Sequence, residues 1–160
     1  MAIEELGPAE RLTAGAIGRP GSREFYLQVT AGGVDHWLMA EKQQVSVLAS
    51  EGIRILDEHE VEYDEEAVRR ITDGGLELRE PDEDAIECRV GEVSMSLTET
   101  LLTLTIASAD EDRSISFVVA PEQFRAMAKV ALEVVAKGRP ICRWCRLPMD
   151  PDGHECPARN

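Results

Sequence analysis

Apolar and polar positions alternate along the chain in two similar runs. In the first, "RLTAGAIG", "EFYLQVT" and "VDHWLMA" are short β-rich stretches separated by "RPGS" and "AGG". The pattern predicts three strands of an antiparallel meander. Pro20-Gly21 suits the centre of a type II turn, because proline presets φ and glycine accepts a positive one. In "EKQQVSVLASEGIRILDEH", Val45, Leu48, Ala49 and Leu56 share one helical face, although Gly52 weakens the case for an unbroken helix. "DEEAVRRITDGG" predicts a short second helix that stops at Gly74-Gly75.

The second run repeats the plan. Ile86, Cys88 and Val90 alternate, then Val93, Met95 and Leu97 alternate in the opposite phase. The slip at Gly91-Glu92 predicts a β-bulge or a turn. "LLTLTIAS" and "SISFVVA" read as two further strands. "PEQFRAMAKVALEVVAKGRP" is the clearest helix, with Phe124, Met127, Ala128, Ala131, Leu132 and Val135 in one stripe. Pro121 fits its first position, Lys137 its last turn, Gly138 its C′ position, and Pro140 prevents continuation. The junctions "MAEKQQV" and "VAPEQFR" align Ala40 with Ala120 and Gln43 with Gln123, a hint of duplication. The expected fold class is α+β: an antiparallel sheet built from two strand-meander-plus-helix halves. Residues 1–138 are expected to form this domain, with halves at about 1–75 and 85–138 and an acidic linker at 76–84.

Composition narrows the functional classes. The chain has 160 residues, 43% of them hydrophobic and 30% charged, which suits a globular domain rather than a disordered one. No apolar run is long enough to span a bilayer, and the start lacks a basic-then-apolar leader. The expected location is the cytoplasm, without membrane association. A formal charge of −14 would repel polyanions, so the charge argues against nucleic-acid binding through the body. The only basic cluster is Lys137, Arg139, Arg143 and Arg146. The acidic stretch near 60–84 could attract a hard cation but lacks the EF-hand pattern and reads as a solvated linker.

The chemistry concentrates in residues 139–160. Cys142 and Cys145 form a C-x2-C pair, and His154 and Cys156 lie two apart after the turn signal "DPDG". The full spacing, C-x2-C-x8-H-x-C, offers three thiolates and an imidazole to one ion. That is a closed Cys3His set of the structural zinc type, with no position left for substrate. A redox C-x-x-C pair belongs at the start of a helix. Here the pair follows a helix stop and precedes Pro148 and Pro151, so zinc fits better than a redox pair or an inert tail.

The tail "GRPICRWCRLPMDPDGHECPARN", with "EKQQV" and "VAPEQFRAMAKVALEVVAKGRP" upstream, resembles the DUF3090 family of bacterial proteins across nearly the whole chain. Cys142, Cys145, Pro148, Pro151, Gly153, His154, Cys156 and Pro157 match that family's tail pattern. Arg143 and Arg146 stand where the family usually has proline and glycine. The resemblance implies a retained zinc ligand set and no particular activity.

Elsewhere the signals are weaker. His36, beside Trp37, reads as a packing residue, and His59 as a residue at a helix C-terminus. Cys88 reads as a buried structural thiol. "GAIGRPG" lacks the spacing of a phosphate loop, and no serine has a recognisable His and acid around it. "EKQQ" at 41–44 could form a polar cluster but reads first as a solvated helical turn. No catalytic constellation emerges. The sequence therefore points to an interaction protein with a structural zinc knuckle, whose Trp144, Arg143 and Arg146 could contact a protein partner of unknown identity. The alternative is an enzyme or small-molecule-binding domain with a pocket on the α+β body.

Overall fold

The computed structural model describes residues 2–19, 21–80, 83, 85–137, 142–146, 149 and 155–159. Seven strands and three α-helices follow in the order β1 (Ala2–Pro8), β2 (Arg11–Ile17), β3 (Glu24–Ala31), β4 (Val34–Ala40), α1 (Lys42–Glu58), α2 (Glu65–Asp73), β5 (Ile86–Thr98), β6 (Leu101–Ser108), β7 (Arg113–Val119) and α3 (Pro121–Ala136). All the strands join one sheet in the order β1-β7-β6-β5-β4-β3-β2.

This sheet is mixed, which corrects the expectation of a purely antiparallel one. The meanders β2-β3-β4 and β5-β6-β7 are antiparallel within themselves. However, β4 pairs with β5, and β7 with β1, in parallel. The β4–β5 pair is parallel because the helical crossover through α1 and α2, rather than a hairpin, joins those strands. A fourth strand also precedes the three expected in the first run. β1 is mostly exposed and carries Glu4, Glu5 and Pro8, so it shows no apolar alternation to read.

The pairing plan repeats. β5 is one long strand whose register shifts between Val90 and Val93. Its first part pairs with β4 and its second with β6. β1 and β2, linked by Ala9-Glu10, do the same with β7 and β3. At that link Ala9 N–H bonds to Val118 O at 2.8 Å and Glu10 N–H to Thr30 O at 2.7 Å, so the sheet curls until its two edges meet. Matching strands present matching core residues: Phe25, Leu27 and Val29 in one run, Leu102, Leu104 and Ile106 in the other.

The two helix starts match as well, in a register one residue away from that suggested by sequence. Glu41 and Ala120 are the N-caps, with Gln44 and Gln123 at the third helical position. Each glutamine oxygen accepts its N-cap N–H, at 2.8 and 3.0 Å. Each amide then pins a bend in the sheet. Gln44 donates to Val90 O and Gly91 O at 3.2 Å, and Gln123 to Ala9 O at 2.9 Å. These side chains lock helix to strand by hydrogen bonds where a long strand must turn.

Helix α1 runs unbroken through Gly52. A methyl there would lie 2.0 Å from Phe124 Cζ, so glycine is what lets α1 and α3 cross closely. α2 packs on α3 through a small second core of Val68, Leu76 and Ala126, flanked by Ile71 and Val130. Buried Arg125 secures the approach to α2. It pairs with Asp57 at 3.0 Å, donates to Val61 O at 3.1 Å and lies over the Tyr63 ring at 4.9 Å.

Residues 76–79 fell in the stretch expected to be a solvated acidic linker. They instead lie against the outer face of β2 and β3. Buried Thr13 donates to Leu76 O, Arg11 to Glu77 O at 2.5 Å, and buried Gln28 both donates to Arg79 O and accepts from Arg79 N–H. The two expected glycine turns are present. Gly21 has φ 92° with Ser22 N–H bonded to Arg19 O, and Gly32 and Gly33 both have positive φ between β3 and β4.

Candidate metal centre

The C-x2-C spacing produces a tight turn after α3. Arg146 N–H bonds to Cys142 O at 2.9 Å, closing a single turn of chain around residues 143–145. This places the Cys145 sulfur beside that of Cys142. The short 3₁₀ turn Pro157–Arg159 follows Cys156. Cys142, Cys145 and Cys156 bring their Sγ atoms within 4.8 Å of one another, with Cys142 Sγ and Cys156 Sγ 3.8 Å apart.

These distances test what the cluster can hold. A disulfide needs sulfurs about 2 Å apart, so the three are thiols. Four ligands at about 2.3 Å in a zinc tetrahedron have edges of about 3.8 Å. The Cys142–Cys156 separation has that length. Charge fits too, because metal-binding cysteines must be thiolates. Backbone N–H groups of Cys145 and then Trp144 aim at Cys142 Sγ and hold its thiol well below the ordinary value, at about 6. The chain thus supplies three convergent sulfurs, one of them biased toward the anion. His154, the fourth ligand of the sequence reading, lies outside the described residues.

Arg146 has φ 65°, the left-handed region that favours glycine. That explains why glycine suits this position and shows that this chain closes the turn at a conformational cost. Trp144 is 54% exposed on the turn, with the Arg143 guanidinium 4.9 Å from its ring centroid. Of the residues expected as a contact patch, Arg143 and Trp144 therefore lie against each other.

The remaining candidates separate from this centre. His36 is buried in β4, and neither ring nitrogen has a hydrogen-bond partner among the described residues. Burial pushes its pKa down, with Glu4 opposing the shift. His59 caps α1, its Nδ1 2.9 Å from Ile55 O. Cys88 is half-buried rather than buried, beside the core. Of the "EKQQ" stretch, Glu41, Gln43 and Gln44 line a groove between α1 and β5. The roles of Gln44 and Gln123 escaped the sequence reading, although a glutamine at the third position of each helix was a visible capping signal. A separate cavity of about 750 Å³ lies between residues 76–80, β2 and α3, walled by Gly15, Trp37, Leu78, Lys129 and Glu133. No helix is long and apolar enough to cross a membrane among the described residues.

No curated protein and no solved structure matches the chain. A family model described as "protein of unknown function (DUF3090)" matches residues 5–156. With that match spanning the sheet, the helices and all three clustered cysteines, the chain belongs to the DUF3090 family.

Proposed function

We propose that this is a non-enzymatic, cytoplasmic interaction protein whose tail is a structural Cys3His zinc knuckle. Cys142, Cys145 and Cys156, with His154, hold the ion; Trp144, Arg143 and Arg146 form the contact surface for a protein partner. The convergence of three sulfurs at tetrahedral-edge distance carries the reading. Four protein ligands leave no open position on zinc, so the ion's work is to fix the turn that displays Trp144. The exposed indole beside a guanidinium has the composition of an interface anchor.

The test begins with zinc content of tag-free protein. One zinc per chain, lost in Cys142→Ser and His154→Ala, supports the ligand set; full retention in both variants refutes it. Partner capture by zinc-loaded Trp144→Ala should fall well below that of the parent, and undiminished capture would remove the contact surface.

A second reading, small-molecule binding or catalysis on the body, draws on the 750 Å³ cavity. Trp37, 4% exposed, lies in its wall, and its indole N–H has no hydrogen-bond partner among the described residues. A ligand carrying an acceptor could satisfy that donor. Binding that survives truncation of the tail but not Trp37→Phe would favour this reading.

A further inference from the structure

The repeated pairing plan has an uneven covering. The face of α3 that carries Ala126 and Val130 is sealed by Val68 and Ile71 of α2 and by Leu76 just after it. With Gln44 matching Gln123 at the two helix starts, the equivalent positions on α1 are Val47 and Glu51. No described element covers them. Val47 is 51% exposed, and a groove of about 550 Å³ opens there, lined by Glu41, Val47, Leu48, Glu51, Val93 and Met95.

We propose that this groove is the docking site of the chain's own knuckle, in a closed state that buries Trp144. Three observations converge on that occupant. The first is connectivity: the segment that leaves α1 crosses over to cover α3, so by the same plan the segment that leaves α3 is the one placed to cover α1. The second is reach. Counted from the helix C-caps His59 and Lys137, the first turn of α2 and residues 143–146 stand at the same distance along the chain. The third is complementarity. The groove has an apolar floor and carboxylates at its rim, Glu41 and Glu51, the latter shared with Arg54 at 2.8 Å. The knuckle offers an exposed indole flanked by Arg143 and Arg146. An apolar anchor with opposite charge around it is the composition of a fitted contact.

None of the knuckle's described residues lines the groove, and Trp144 remains more than half exposed. Docking would use the same side chain as the partner contact, so closing the knuckle and binding a partner exclude each other. This inference rests on a metal-organised knuckle, and its test uses full-length protein whose metal content has been verified first. Loss of metal and failure of docking are then separate results.

The experiment places the photo-cross-linker p-benzoylphenylalanine at the exposed Val47 position of the metal-loaded chain. Cross-links are mapped by mass spectrometry at low protein concentration. The expected result is a link within one chain to the peptide containing Arg143–Arg146, reduced several-fold by Trp144→Ala. Absence of any link to that peptide would overturn the proposal. So would links only between chains whose yield rises with concentration, which would make a second copy the occupant. Hydrogen exchange provides the check without a bulky probe. Amides of Val93–Leu97 should exchange several-fold faster in Trp144→Ala than in the parent, and equal rates would overturn the docked state.

Discussion

Gly52→Ala would be stabilising in an ordinary exposed helix, by about 1 kcal/mol. In this molecule the sign should reverse. The added methyl would sit 2.0 Å from Phe124 Cζ and 2.1 Å from Cε1, where carbon pairs rest at about 3.5–4.0 Å. Phe124 is fully buried, so either the ring leaves its rotamer or α1 backs away from α3. Overpacking of this kind costs about 1–3 kcal/mol, sometimes more. Taking about 3 for a ring with no free space and subtracting the helical gain leaves about 2 kcal/mol of lost stability. For a chain of this size, Tm should fall by about 4–8 °C.

Thermal and urea unfolding of the single and double variants would measure it. Phe124→Leu removes the clashing ring edge, so it should cost less in the Gly52→Ala background than alone. The coupling should be about 1 kcal/mol or more. Gly15→Ala is the control: its methyl would meet Leu78 at 2.7 Å, a half-buried side chain able to move, so the loss should be smaller. A Gly52→Ala protein as stable as the parent, or a cycle with no coupling, would refute the helix crossing described here.

Arg146→Gly should relieve the φ 65° turn by about 1 kcal/mol and raise metal affinity roughly fivefold in chelator competition; unchanged or weaker affinity would contradict the turn geometry. Gln28→Leu removes both bonds to Arg79 and should cost about 1–3 kcal/mol. Limited proteolysis should then cut more readily near residues 76–80, and an unchanged cleavage pattern would deny the anchoring. Burial holds the His36 imidazole below its ordinary pKa in the native state, so the unfolded chain takes up the proton first. Stability from this residue is complete above about pH 6.5 and is lost as pH falls below it. Urea midpoints from pH 7.5 to 5.5 should therefore fall more steeply in the parent than in His36→Leu, and parallel curves would refute the assignment.

Elements whose own side chains carried the signal were legible in sequence. Helix α3 has a complete apolar stripe and a proline start, and the β5 bulge showed as a phase change at Gly91-Glu92. The direction of strand pairing was not legible, because alternation marks which face is buried and not which way the neighbour runs. The anchoring of residues 76–79 was hidden for a related reason. The acidic composition of the wider 76–84 stretch suggested solvent, whereas the attachment uses backbone groups bonded to the distant Arg11, Thr13 and Gln28. Gly52 looked like a helix interruption until the facing Phe124 gave it a purpose. At the candidate metal centre, the C-x2-C spacing was sufficient to anticipate that Cys142 and Cys145 converge, since a four-residue turn is local, whereas Cys156 joins them from eleven residues further along the chain. The groove on α1 was beyond reach, because it depends on how one half of the chain covers the other.

In the proposed knuckle the tail's three cysteines hold a metal ion. The most direct measurement counts reactive thiols in tag-free protein before and after chelation, beside its metal content. The expected result is one ion per chain, Cys142, Cys145 and Cys156 shielded from a thiol reagent, and all three released together when the chelator removes the ion. Protein without metal, whose three tail thiols react at once or pair as a disulfide, would contradict it.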